Sequence, residues 1–579
     1  MAKPEFRTTI GRMKKKSNEP TKTKKAMKTM KNFLSMAALA LMGAMMTGCS
    51  SEDNFTAQPQ QQVADKGNVV TLTTTVGLDA SAGTRALTET GVKTFAVGDK
   101  IAVLYGSSSG GKWAVSEPLT VEDITNGGKS AQFTVTLEDP DKTFDVTYVY
   151  PASMVKMEGG GQPNYEALAT QDGTLDYVSN HDLCDFTGAW NGDNLPEGTL
   201  NNMLAILAIT LKDKAGTSDI TGSTTKLTVS DGTNTYNVMR SAVAGPIYVA
   251  IRPTTSATIN IEAISSGQGY CKTLATKTYE ASNGYPVSWK MTPATLLSTI
   301  SSNYTAQNGE TLYGKLGSNV KISIANGAPV TLKDVTINGV NIDSYEWAGI
   351  TCAGDATITL EGTNTVKGFA SGYPGIYVPE NKTLTIEGEG SLNASCYDRA
   401  TGIGGGFYMH CGNIVINGGN ITATGGDYNA GIGGGEGDEE DVIRCGKITI
   451  KGGTVKATGG EGAAGIGCGD YGASNDITIT GGTVTATGGG CAAGIGNGEG
   501  GSCGAITISG GTVKATGGYW AAGIGGSFCN GTSGTITITS GVTQVTATKG
   551  EDAPNSIGAG DEGEDISVTI EAGANVIEN

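Results

Sequence analysis

Hydrophobic and polar positions follow two different rhythms along this chain. From residue 68 to about residue 292, short alternating stretches are broken by Gly, Asp, Asn and Pro. Examples are Val69 to Val76, Gln132 to Leu137, Ala205 to Leu211 and Thr258 to Ile264. A period of two, bounded by turn residues, predicts antiparallel strands with one face in a core and the other in water. The stretch is long enough for two small β-sandwiches, with a break expected near residues 192–199. From about residue 319 a longer period takes over. Gly-Ile recurs with Ile at 350, 376, 403, 432, 466, 495 and 524, and Ser-Ile closes the series at 557. Between marks the later units repeat one sentence, such as Lys447-Ile448-Thr449-Ile450, Gly452-Gly453, Thr454-Val455-Lys456-Ala457. Three short strands per unit with Gly corners predict a parallel β-helix of about eight coils over residues 294–579. Ile, Val and Ala should point inward and Thr and Lys outward, with coils stacked about 4.8 Å apart. The expected fold class is therefore all-β.

The two ends and the charge narrow the setting. Residues 1–48 read as an export signal, with a basic stretch, an apolar run from Phe33 to Met46, then Met46-Thr47-Gly48-Cys49. Met27 or Met30 is an alternative start. Cys49 is the expected lipidation site, anchoring the chain to outer-membrane lipid. Ser50-Ser51-Glu52-Asp53-Asn54 resembles an acidic signal that routes lipoproteins to the cell surface, and residues 49–66 read as a polar tether. The first 48 residues hold 11 of the 39 basic and 2 of the 56 acidic residues, so the mature net charge is −26. Such a surface repels nucleic acid. Ten cysteines remain besides Cys49, without paired metal-ligand spacing. The two histidines, His181 and His410, sit in no hydrolase motif. Gly128-Lys129-Ser130 has Asp123 where a phosphate-binding loop needs its first Gly.

Several short motifs in the sandwich region resemble the fimbrillin family of pilus subunits and anchors. They are Thr84-Arg85-Ala86, Phe95 with Gly98-Asp99-Lys100-Ile101, Tyr148-Val149-Tyr150-Pro151, Thr170-Gln171-Asp172-Gly173-Thr174-Leu175, and Val249-Ala250-Ile251-Arg252-Pro253. The resemblance implies a lipidated surface protein with other fimbrial subunits as partners. It also implies Arg85 as a site of proteolytic maturation, a plain loop arginine being the alternative. The later repeats resemble Gly-rich β-helical carbohydrate-binding modules, which implies a polysaccharide or host glycan as ligand, with calcium as accessory. β-Helix lyases and hydrolases are the rival class. They need a basic residue beside calcium or clustered catalytic carboxylates. Lys456 and Lys514 instead face outward among threonines, so no enzyme is expected.

Counting from each marker Ile aligns columns of side chains. Four residues after it stand Glu436, Asp470, Glu499 and Asp561, with Phe528 breaking the series. Stacked carboxylates repel unless a cation sits among them, so the column is either a Ca²⁺ site or a solvated acidic edge. Four residues before the mark stand Tyr428, Gly462, Cys491 and Trp520. Tyr428, Tyr519 and Trp520 are candidates for stacking on sugar rings, or else cover the coil edge. A third column, Cys411, Cys445 and Cys503, has adjacent-coil spacing within disulfide range, with buried free thiols as the alternative. The combined expectation is a cell-surface fimbrial-type adhesin, or a structural pilus subunit or anchor without glycan binding.

Overall fold

The structure is a computed structural model that describes residues 68–78, 94–107, 109–156, 162–438, 440–529 and 532–579. Cys49 and Arg85 lie outside the described residues. Among these residues no helix is long and apolar enough to cross a membrane.

The N-terminal alternation folds as expected into β-structure with two cores. Eight strands, from Val69–Leu78 to Gly198–Asn202, make the first sheet. Its two halves share one core, where Phe95 packs edge-on against Phe133 and Tyr150, each with ring centroids 5.3 Å apart. Tyr148 is buried and donates its hydroxyl to the Pro196 carbonyl at 2.7 Å. This sheet continues through Asn202, past residues 192–199, while the second unit already takes in an earlier segment, since Thr170–Gln171 pairs in parallel with Thr235–Met239 and Leu168, Val178 and Leu183 lie in its core. A three-stranded and a six-stranded sheet then enclose a core that includes Leu207, Ile247, Ile261 and Trp289. Two of the motifs meet here. Buried Gln171 donates to the Ala250 carbonyl at 2.7 Å and accepts from the Ala250 amide at 2.9 Å, tying one motif's loop to the other's strand. His181 stacks on Tyr177 at 3.9 Å, which gives this histidine a structural role.

The solenoid begins without a flexible joint. Thr292–Pro293 still pairs with a sandwich strand, whereas Thr295–Leu296 already pairs with the first coil. Cys271, Ala294, Leu296 and Tyr313 form a small core between the two parts. One face of the solenoid is a ten-stranded ladder. Its first strands, Tyr304–Ala306 and Ile322–Ile324, precede the first Gly-Ile mark, so two unmarked strands join the eight marked coils. Two further ladders stack Ile on Ile, as in Ile450, Ile479 and Ile508, and Val on Val, as in Val455, Val484 and Val513. Their inward residues are fully or almost fully buried, as the period-two reading predicts, except on the last coil, where Val568 and Ile570 are exposed. A short fourth ladder adds Arg444–Cys445, Ala473–Ser474, Ser502–Cys503 and Thr532–Ser533.

Candidate functional site

The loop before each mark and the loop after it meet on one edge of the solenoid. The amide of Asp470 donates to the Tyr428 carbonyl at 3.0 Å, Glu499 to Gly462 at 2.8 Å, Phe528 to Cys491 at 3.1 Å and Asp561 to Trp520 at 2.9 Å. Each residue of the acidic column therefore sits beside a residue of the preceding coil's aromatic column. The two columns form one surface.

The first acid is held differently. Glu436 is buried, its amide donates to Asn429 Oδ1 at 3.0 Å, and its carboxylate receives both the Nε of Arg399, at 2.9 Å, and an Nη of the same guanidinium. Arg399 stands four residues before the mark Ile403, at the head of the aromatic column, and lies 4.0 Å over the Phe407 ring. The cation that stacked acids require is here a guanidinium. Counting columns only from residue 428 onward missed it, although its register was readable.

Asp470 has no such partner. One of its carboxylate oxygens is buried and receives no hydrogen bond in the structure. Burial first, and then the charges of Glu499 and Glu436, push this carboxyl up to about 7. Among the described residues no group of three or more His, Cys, Asp or Glu is gathered to hold a metal ion. The four acids are instead dispersed by the Arg399 ion pair and by Phe528. The sign of the resulting linkage is definite. Between the ordinary aspartate range and pH 7 the folded chain keeps a proton that the unfolded chain has lost, so stability falls as pH rises through that window. Asp470→Asn should therefore be the more stable protein at pH 8, by about 2 kcal/mol after discounting the full linkage value for partial solvation. Below pH 4 the two should melt alike. Parallel melting curves across the whole range would refute this account.

Tyrosines crowd the same edge. Tyr408, Tyr428 and Tyr471 are 41%, 38% and 37% exposed, and Tyr519 is exposed beside Trp520. The first three adopt positive φ, at 51°, 65° and 47°. Sister coils place glycine in those registers: Gly462 for Tyr428, and Gly437 and Gly500 for Tyr408 and Tyr471. A bulky residue in left-handed backbone costs of order 1 kcal/mol or more, so the chain holds these rings against a conformational penalty. Gly462 makes the floor of a shallow cradle. A Cβ there would lie 3.4 Å from the Tyr428 ring, 3.6 Å from a Glu499 oxygen and 3.7 Å from the Asp470 carboxyl carbon. One aromatic ring and two carboxylates thus converge around Gly462.

Trp520 plays another part. Its ring packs against Tyr519 at 4.9 Å and Phe528 at 5.0 Å, so the break in the acidic column is an aromatic cluster. His410 accepts the Arg444 amide at 3.0 Å and is structural. Tyr408 and Tyr471 were absent from the sequence-derived candidates. They stand five residues after their marks, a register that becomes informative once the positive φ is seen.

Residues 414–436, 448–470, 477–499 and 506–528 match a family described as Beta helix repeat. Each matched segment starts on the first Ile of an Ile-x-Ile strand or its equivalent and ends on the column that holds Glu436, Asp470, Glu499 and Phe528. No curated protein sequence matches the chain. Among similar solved structures is a fimbrial assembly protein from Parabacteroides distasonis, with 14% identity, 38% of this chain and 90% of that chain covered, and a TM-score of 0.23. Another is the C-terminally truncated tip fimbrial protein Mfa3 from Porphyromonas gingivalis, with 12% identity, 38% and 95% coverage, and a TM-score of 0.19. A fimbrial protein from Bacteroides ovatus is similar at 13% identity, with 39% and 50% coverage and a TM-score of 0.21. The chain is similar to fimbrial proteins over somewhat more than a third of its length, and four coils of its solenoid match the Beta helix repeat.

Proposed function

We propose that this protein is a cell-surface adhesin of fimbrial type whose solenoid edge binds polysaccharide. The observation that carries the reading is the set of exposed tyrosines held in left-handed backbone, with the Tyr428 ring beside the carboxylates of Asp470 and Glu499. An aromatic face takes the apolar side of a sugar ring, and carboxylates accept its hydroxyl hydrogens. The Tyr428 ring with Asp470 and Glu499 is one such subsite, and Tyr408 and Tyr471 extend it along the rod. The export signal, the Cys49 anchor and the fimbrillin-like motifs support the surface setting, with other fimbrial subunits as partners. Calcium belongs to the proposal only as an accessory at the Asp470–Glu499 pair, and binding measured with millimolar calcium and with chelator decides it.

Retention of purified chain on a panel of immobilised plant and host polysaccharides is the direct test. Tyr428→Ala with Tyr471→Ala should lower retention at least tenfold without moving the melting temperature downward. Cells expressing Cys49→Ala should lose surface retention while the purified variant keeps it. Retention on no polysaccharide would favour the alternative, a structural pilus subunit. Release of new reducing ends would reopen the enzyme class, since Asp470 and Glu499 are adjacent acids of unlike environment.

A further inference from the structure

At the start of the short fourth ladder of the solenoid two cysteines of adjacent coils meet. We infer that Cys411 and Cys445 form a disulfide between adjacent coils, and that no other thiol of the cysteine column takes part. The register points to the pair. Cys411 bridges Cys445 in parallel, Cys445 faces Ser474, Ser474 faces Cys503, and Cys503 faces Ser533. Ser474 therefore stands between Cys445 and Cys503 and leaves Cys503 without a thiol neighbour in its column. The sulfurs of Cys411 and Cys445 are 2.8 Å apart, and both side chains are 2% exposed. That is closer than two sulfurs rest without bonding, and neighbouring parallel strands bring Cα atoms within disulfide reach.

Cys468 is the nearest competitor, since it and Cys445 both flank Gly434. Its sulfur is turned toward the next coil, where it accepts the Gly498 amide at 3.2 Å and lies 3.4 Å from the Ser502 carbonyl. Burial holds the Cys445 thiol well above its usual range. Little thiolate exists once the coils have closed, so the bond forms while they assemble. The two thiols lose two protons and two electrons to a disulfide oxidant, which leaves as two thiols. The closed loop, residues 411–445, is the coil that presents Tyr428 and Glu436 and the acidic insertion at residues 438–441. The staple thus pins the first part of the aromatic edge, whatever that edge binds.

The test is chemical. The mature chain is unfolded in reductant, refolded with a mixture of reduced and oxidised glutathione, quenched in acid and mapped after alkylation. The expected product is one internal cross-link, two hydrogens lighter than the dithiol, joining the peptides of Cys411 and Cys445. Reduction, Cys411→Ser and Cys445→Ser should each lower the solenoid's melting temperature by about 5–10 °C, with no further loss in the double variant. Cys503→Ser should keep the cross-link. Full alkylation of both thiols after oxidative refolding overturns the inference. So does a cross-link from Cys445 to Cys468 or Cys503. The mapping of wild type stands even where a serine variant fails to fold.

Discussion

Ile479→Asp should open the middle of the solenoid and leave both sandwiches folded. Ile479 is completely buried and stacks between Ile450 and Ile508 on the inward side of its ladder. Truncating such a side chain alone costs about 2–5 kcal/mol. The new carboxyl finds only apolar neighbours in that stack, so it must be buried without a partner or protonated, and the total should reach about 5 kcal/mol. A solenoid distributes such damage narrowly, because each coil rests only on its neighbours. The sandwiches meet the solenoid through Cys271, Ala294, Leu296 and Tyr313, near its first coil. Limited proteolysis should cut rapidly in the coils around residue 479 and release a resistant N-terminal fragment. Thr478→Asp, on the same strand but pointing outward, should change little, within about 0.5 kcal/mol. The reverse order, with Thr478→Asp the more damaging variant, would mean that the strand faces the other way.

The solenoid was readable because its chemistry is imposed at every coil. Inward positions are apolar on nearly every strand, Asn364 being an exception, and close approach of backbones puts glycine, or serine on the last coil, before each mark. The spacing of Ile350 through Ile557 therefore stands out even though individual intervals vary. The two strands at Tyr304–Ala306 and Ile322–Ile324 escaped because the first coils lack the Gly-Ile mark. The edge was half readable. Counting from each mark aligned Tyr428 with Trp520 and Asp470 with Glu499, but the meeting of the two columns is a property of stacking. A residue after one mark lies beside a residue before the previous one, and that offset is invisible in either column alone. Arg399, Tyr408 and Tyr471 were missed for the same reason. Each gains meaning only from a neighbour about thirty residues away: Glu436 for Arg399, Asp438 for Tyr408 and Gly500 for Tyr471. In the sandwich region the four motifs among the described residues marked real contacts, as Gln171 and Ala250 demonstrate, while the loops between them gave no comparable constraint on where one sheet ends.

Gly496→Ala should destabilise the solenoid by about 3 kcal/mol, far more than a glycine replacement in an open turn. Gly496 follows the mark Ile495 and has φ of 135°, a conformation that L side chains rarely adopt. A Cβ there would also lie 2.1 Å from the carbonyl oxygen of Gly525 on the next coil. That oxygen belongs to backbone stacked in the ladder, so it has no soft way to retreat. The same clash recurs at Gly467, where a Cβ would approach the Gly496 carbonyl to 1.9 Å, so relief at one coil transfers strain to another. Gly232→Ala is the matching control. Its φ is 86°, but nothing lies within 4 Å of the added carbon, so it should cost only about 1 kcal/mol. The difference between the two isolates the contact between coils from the strain of the dihedral. Melting temperatures read it directly, with a fall of about 10 °C expected for Gly496→Ala. Glu499 stands three residues further on and helps frame the cradle over Gly462, so polysaccharide retention should fall with Gly496→Ala and survive Gly232→Ala. Equal losses of stability would show that dihedral strain alone, and not the spacing of stacked coils, demands glycine after the marks from Ile403 onward.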